Sequence, residues 1–274
     1  MTVPLESSTA DSLATGPAVP AAVPRATQAH FPRWAIPAGH LLLLAHCVRR
    51  IGVLVNPMVR LVFLRQVYFV GVQGSRAIAL LAIAVGGLAV PGATLLLGAN
   101  NSYLYDILGW ALVTEVAPLF VALVVIGRSA SVISTELALM KAHGELRHLE
   151  QMRIDPRDYL ALPRIAAITV SLLVATFFYQ VVSVTGGFAV SALLLNVSFA
   201  EQMQLMLEAL SPSDIVIAGV KTVIFGLVIG TIACFAGLYA DGTVNDVPRA
   251  QIAGYMRSLT CLVFIDVVFA IATF

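Results

Sequence analysis

The chain has 274 residues, 59% of them hydrophobic and 11% charged, with a formal net charge of +1 and a mean hydropathy of +0.92. A soluble domain of this length needs far more charge to cover its surface, so the composition excludes one and places the chain among multispanning membrane proteins. The small net charge hides a segregation, because the arginines crowd into a few stretches while other polar loops carry none.

Residues 1–30 are rich in Pro, Ala, Ser and Thr and lack both the basic start and the apolar run of a secretory signal, so they read as a disordered tail. Residues 31–65 mix apolar runs with Arg49, Arg50, Arg60 and Arg65. That mixture predicts an amphipathic helix lying in the membrane interface, its arginines reaching toward headgroups, with a division at Pro57.

Residues 66–274 form the main domain. A span needs about 20 mostly apolar residues, and the runs at about 77–97, 107–139, 165–195, 215–240 and 250–274 qualify. The second and third exceed one membrane thickness, so they are expected to tilt or bend, at Pro118 and at the Gly186-Gly187 pair. The fold predicted is an all-α integral membrane protein with five transmembrane helices, an N-terminal interfacial helix and a short surface helix in segment 140–164.

That segment contains a charged island, KAHGELRHLEQMRIDPRDYLALPR, from Lys141 to Arg164. Ala142, Leu146 and Leu149 recur at helical spacing and give a short amphipathic helix with one apolar stripe. After it, Asp155 reads as an N-cap, Pro156 as the first helical residue and Asp158 as the side chain reaching back to the cap. Basic residues assign the sides: Arg33 to Arg76, the island, and the loop with Arg249 and Arg257 are expected in the cytoplasm, because the loops around Asn100–Asp106 and Asn196–Asp214 carry no Lys or Arg. Five crossings then put the N-terminus inside and the C-terminus outside.

The sequence holds no phosphate-binding loop, zinc HExxH or nucleophile elbow. Cys47, Cys234 and Cys261 lie far apart, read as buried apolar residues, and suggest neither a disulfide framework nor a metal site. An enzyme is not expected, and neither is a metal, a cofactor or a nucleic-acid partner. Charges inside spans are costly and point to function by default. Glu115, Lys221 and Asp266 are the intramembrane charges, and they read as the lining of a cavity or gate, or as an ion pair that fixes helix packing. The long stem of Lys221 also permits snorkelling outward. Gly226 and Gly230, extended by Ala233 and Gly237, are spaced for close helix approach.

In order and spacing these residues resemble the MlaE/YrbE permease family, membrane subunits of ABC transporters that move lipids between bacterial membranes with MCE-domain proteins. Arg65-Gln66, Tyr68 and Gly71-Val72 match its RQ-x-Y-x-x-GV, and Glu115 with Pro118 match RELGP. Gly127-Arg128, Ser131 and Glu136 match GR-x-GS followed by AE. Met140-Lys141, Ile154-Asp155-Pro156, Tyr159 and Leu162-Pro163-Arg164 match the following loop and return. Lys221, Val223 and Phe225 match K-[ST]-V-x-F, and Asp266 matches an acidic residue of span five.

The resemblance implies a bacterial inner-membrane permease that pairs with a second protomer, identical or not. It further implies a cytoplasmic pair of ATPases that bind the ATP, a periplasmic MCE-domain partner and a membrane lipid as substrate. It makes the 141–154 helix a coupling helix that docks on the ATPase through Lys141, Glu145, Leu146, Leu149, Asp155 and Pro156. It makes Glu115, Pro118, Leu88, Leu95 and Tyr103 a lipid pocket or gate. The chain departs from the family pattern at Gly144 and Arg147, where acids are usual, and at Thr114 and Ala117, where RELGP has Arg and Gly. A glycine inside a helix costs about 1 kcal/mol, so Gly144 is expected to weaken the coupling helix. Two other readings fit the intramembrane charges: a secondary transporter using them as ion or proton relays, and a scaffold that transports nothing.

Overall fold

Inside lipid no water is available to bond backbone groups, so a long apolar segment must close its hydrogen bonds within a helix. The computed structural model describes residues 36–98, 101–240 and 242–273, and among these there is no strand. The expected tail, residues 1–30, and the first residues of the interfacial segment lie outside the described residues. The helices are α1 (Ile36–Arg49), α2 (Pro57–Val67), α3 (Ser75–Leu97), α4 (Ser102–Leu108), α5 (Ala117–Val125) and α6 (Ser131–Ala142), followed by α7 (Glu145–Gln151), α8 (Leu162–Leu195), α9 (Phe199–Ala209), α10 (Pro212–Leu238) and α11 (Val247–Thr273).

Among the described residues five helical runs are long and apolar enough to cross a membrane: Val59–Leu97, Tyr103–Ala142, Arg157–Leu195, Pro212–Leu238 and Val244–Ala272. The first is longer than the sequence suggests, because α2 continues through the π-helical turn Tyr68–Val72 and a short turn at Gln73-Gly74 into α3. Pro57 opens α2 after a 3₁₀ turn at Ile51–Val55, so the N-terminal segment divides where the proline predicts. The second run joins α4, α5 and α6 through π-helical turns at Gly109–Val116 and Ile126–Ala130, and Pro118 sits just after the first of these.

Local chemistry sets the ends of the helices. Gly98 at φ 85° closes α3, and Asn101 then caps α4 by accepting from Tyr103 N at 3.1 Å. Asn196 at φ 54° ends α8. Ser198 caps α9, and Ser211 forms a reciprocal capping box with Asp214 at the start of α10, with Pro212 next in line. Gly144 differs from expectation. It sits at φ 79° between α6 and α7, so it is the left-handed joint that separates two helices and does not weaken the interior of one.

Glycines also let the spans touch. The Gly186-Gly187 pair does not break α8, which runs unbroken for 34 residues. A Cβ on Gly187 would lie 2.6 Å from Val90 Cγ2 and 2.7 Å from the Gly86 carbonyl, so the pair serves packing of α8 on α3. On α10, Gly226 abuts Thr169, Gly230 abuts Ile165, and Gly237 abuts Ser134 and Leu137. Backbones this close gain dispersion contacts, which in lipid replace the hydrophobic drive between helices.

Polar contacts gather the basic loops at one end of the bundle. His46 of α1 meets Asp158 at 2.7 Å, Arg50 lies 3.5 Å from the same carboxylate, and Arg157 donates to Tyr239 Oη at 3.0 Å. Asp155 does cap, accepting from Arg157 N at 2.9 Å, but Asp158 is spent on α1 instead of reaching back to that cap. At the other end α9 packs on α4 and α8 through buried Gln202 and Met206. The Gln202 amide donates to Ser191 Oγ at 3.2 Å.

The Gly86 contact supports a direct test. In Gly86→Val the new Cβ would stand 2.1 Å from the Ser183 carbonyl, and overpacking of this kind costs about 1–3 kcal/mol. Thermal unfolding in detergent should drop markedly for Gly86→Val and hardly at all for Gly92→Ala, where a Cβ meets nothing within 4 Å.

Candidate functional site

The three intramembrane charges come from separate spans and meet. Lys221 of α10 donates from Nζ to Glu115 Oε2 at 2.5 Å and lies 2.7 Å from Asp266 Oδ1 of α11. The lysine side chain is fully buried, at 0% exposure, while the two carboxylates keep 17% and 19%. The stem therefore does not snorkel; it runs into the protein and delivers its ammonium to the carboxylates. Phe225, one turn along α10, places its ring centroid 5.9 Å from Nζ.

Burying an isolated ammonium costs far more than a folded protein's net stability, so the cation persists only with its partners. Two carboxylates against one ammonium leave the cluster with a formal charge of −1. Glu115 Oε1 is buried and has no hydrogen-bond partner, so the anion has spare accepting capacity. Such a group can bind a cationic headgroup or a proton.

Glu115 lies in the π-helical segment Gly109–Val116, where Ala117 N–H bonds back to the Leu112 carbonyl. Gln180 of α8, itself buried, donates its amide Nε2 to the neighbouring Val113 carbonyl at 3.0 Å. Pro118 is buried directly after this segment. The other expected pocket residues lie elsewhere: Leu88 is 79% exposed, Leu95 70% and Tyr103 63%, all facing away from the protomer. A separate apolar groove of about 420 Å³ runs between α8 and α10, lined by Leu173, Phe177, Val216, Gly219, Val220 and Val223.

At the charged end, the residues expected to couple divide into two groups. Leu146 is buried in the protomer's own core, Leu149 packs partly buried against it, and Pro156 is buried. Lys141 is half-buried. Glu145, Arg147, His148, Glu150 and Asp155 are exposed, so the apolar stripe of α7 holds the helix to its own spans and the charged face is presented outward.

His46, Asp155 and Asp158 place ligand atoms within 4.8 Å of one another. Each is already committed, His46 and Asp158 to their ion pair with Arg50 alongside and Asp155 to the cap of Arg157. Burial, with the Asp158 and Asp155 carboxylates nearby, pushes the neighbouring Cys47 thiol up to about 11, so it stays a protonated apolar filler.

Sequence reasoning leaves out Gln180 and, although it matches Arg128, Glu136 and Arg164 to family motifs, gives them no role. Gln180 is an uncharged amide in an apolar run, and attention to ionisable groups alone passes over it. Arg164 ends the charged island yet is buried and pairs with Glu136 at 3.1 Å. Arg128 donates to Gln73 at 3.2 Å and stands 5.5 Å from the Phe69 ring centroid, pinning the joint between α2 and α3.

Five apolar runs, a charge cluster at membrane depth and a charged helix held against one end define a multi-pass membrane protein. Residues 63–272 match the family described as Permease MlaE, and the chain belongs to that family. It is similar to a probable ABC transporter permease protein of Rickettsia typhi, 27% identical over 205 residues that cover 74% of this chain and 79% of that one. It is also similar to the Haemophilus influenzae intermembrane phospholipid transport system permease protein MlaE, 28% identical over 68% of this chain and 72% of that one. A third relative is the chloroplastic protein trigalactosyldiacylglycerol 1 of Arabidopsis thaliana, 31% identical over 63% of this chain and 49% of that one.

The cluster predicts a sign that packing alone would not. Lys221→Met leaves two facing carboxylates without a cation, and breaking a buried pair in this way costs about 3–5 kcal/mol. Adding Glu115→Gln and Asp266→Asn removes the stranded charges. In thermal unfolding the triple variant should therefore melt well above Lys221→Met alone.

Proposed function

We propose that this chain is the transmembrane subunit of an ATP-driven phospholipid transporter of a bacterial inner membrane. Two permease protomers, identical or not, pair in the membrane. A pair of cytoplasmic ATPases grips the exposed charged face of α7, and an MCE-domain protein on the far side exchanges lipid with the permease. The N-terminus is cytoplasmic and the C-terminus periplasmic, following the basic residues.

The observation that carries this reading is the family match across all five spans, together with a relative named for intermembrane phospholipid transport. The geometry adds support. The Glu115–Lys221–Asp266 cluster offers charge at membrane depth, where a headgroup in transit needs a polar partner. Leu88 and Leu95 give α3 an outward apolar face, suited to a second protomer or to acyl chains, and Tyr103 flanks it at the start of α4. Because α7 is fastened to the core by Leu146, a push on its outer face is passed to the spans. Membership in a permease family of ABC transporters argues against a gradient-driven carrier and against a scaffold.

Purification from native membranes with its companions tests the proposal: an ATPase and an MCE-domain protein are expected, and the absence of both would overturn it. A narrower expectation concerns α7. Glu145→Lys with Glu150→Lys reverses two exposed charges and should weaken ATPase copurification several-fold without loss of folded permease, since rim charges steer partners and contribute little to the fold. Leu146→Asp, by contrast, should lower the yield of folded permease itself, because it buries a carboxylate in the core.

A further inference from the structure

The π-helical turn that carries Glu115 has two features that account for each other. In a π-helix each N–H bonds to the carbonyl five residues back. Ala117 N–H follows that rule and bonds to Leu112, so the next carbonyl, Val113, awaits an N–H from residue 118. Residue 118 is proline, which has none. The donor that reaches the Val113 carbonyl is the Gln180 side chain, 3.0 Å away and contributed by α8.

An ordinary α register would pair Ala117 N–H with Val113 and leave the carbonyl of Thr114 as the one that Pro118 cannot serve. Thr114 is 1% exposed, so its carbonyl would lie away from water. Because α5 resumes the α register at Ala117, one further carbonyl next to Val113 also lacks a backbone donor, so with Gln180 in place the π register leaves one carbonyl unserved, the same number as the α register. Without the amide the π register leaves two against one for the α register, and the intrinsic preference for α-helix adds to that difference.

We propose that Gln180 is a positioning residue for the membrane charge cluster: its amide supplies the hydrogen bond that Pro118 withholds, and so holds the register that points Glu115 at Lys221. An α-helix advances about 100° per residue, so absorbing the extra residue of the π turn would rotate the preceding part of the span by roughly that angle. Glu115 would leave Lys221, and the cation would keep Asp266 alone. The step concerns a register and no covalent chemistry. Its consequence for transport rests on the lipid-transport reading above.

The test uses the full permease with its copurified ATPase and MCE-domain partner in vesicles. Gln180→Met keeps the side chain's length and removes its donor. Transfer of a fluorescent phosphatidylethanolamine should fall about tenfold while assembly with the ATPase is unchanged. Register is read separately through Gly109, where an added Cβ would lie 3.7 Å from the end of Met206. With Cys47, Cys234 and Cys261 replaced by Ala, the pair Gly109→Cys and Met206→Cys is treated in native membranes with a short bifunctional methanethiosulfonate.

Crosslinking should be efficient with Gln180 and several-fold weaker with Gln180→Met. Reading it before extraction keeps the test valid even for a variant that does not survive detergent. Full transfer together with undiminished crosslinking in Gln180→Met would overturn the inference. Should the unaltered complex move no phosphatidylethanolamine, the transport reading fails, and the crosslink alone decides for or against Gln180.

Discussion

A lysine ammonium with no exposure to solvent, held between two carboxylates, is the constraint around which this membrane domain is arranged. The cation cannot be buried alone, so α10 has to lie where the second span offers Glu115 and where α11 offers Asp266. Gly226 and Gly230 permit this placement by letting α10 rest on the backbone of α8 at Thr169 and Ile165. The same α8 sends Gln180 to the turn that holds Glu115. Charge pairing, small-residue packing and an irregular turn therefore specify one geometry together. Charges at membrane depth are costly, and this cluster gives the membrane interior a polar, anionic point that hydrocarbon side chains do not provide.

The ends of the bundle are joined to that centre differently. At the basic end, α1 is anchored by His46 and Arg50 to Asp158, and its His40 ring lies 4.3 Å from that of Phe235 on α10. Helix α7 hangs on the left-handed Gly144 joint and inserts Leu146 into the shared core. At the opposite end α9 covers α4 through Met206, close to Gly109, the start of the π turn.

Much of this was legible from residues. Long apolar runs forecast the five spans, and the spacing of Glu115, Lys221 and Asp266 against family motifs marked the chemistry before any distance was known. Pro57, Asp155 and the small-residue stripe of α10 did what their chemistry predicts. What escaped has physical reasons. The first span extends through a π turn that periodicity cannot anticipate, because one added residue leaves the apolar pattern intact on both sides. Gly186-Gly187 looked like a bend, yet two glycines are also what a close helix crossing needs, and only the partner Gly86 distinguishes the cases. Helix α9 falls in a stretch that reads as loop although Ser198 and Glu201 signal its start, since its buried residues are the polar Gln202 and the single Met206. Whether Lys221 pairs or snorkels depends on what lies 2.5 Å from its end, and a sequence does not contain that.

The central claim is that the Glu115–Lys221–Asp266 cluster serves transport and is not merely a costly way of joining three helices. Removing all its charges at once separates the two roles, because the neutral version has no stranded ion to unfold it. The deciding measurement is ATP-dependent transfer of fluorescent phospholipid by vesicles holding the permease, its ATPase and its MCE-domain partner, with Glu115→Gln, Lys221→Met and Asp266→Asn combined. The account predicts a folded, assembled complex whose transfer rate falls to background. Transfer at the unaltered rate by that complex would contradict it.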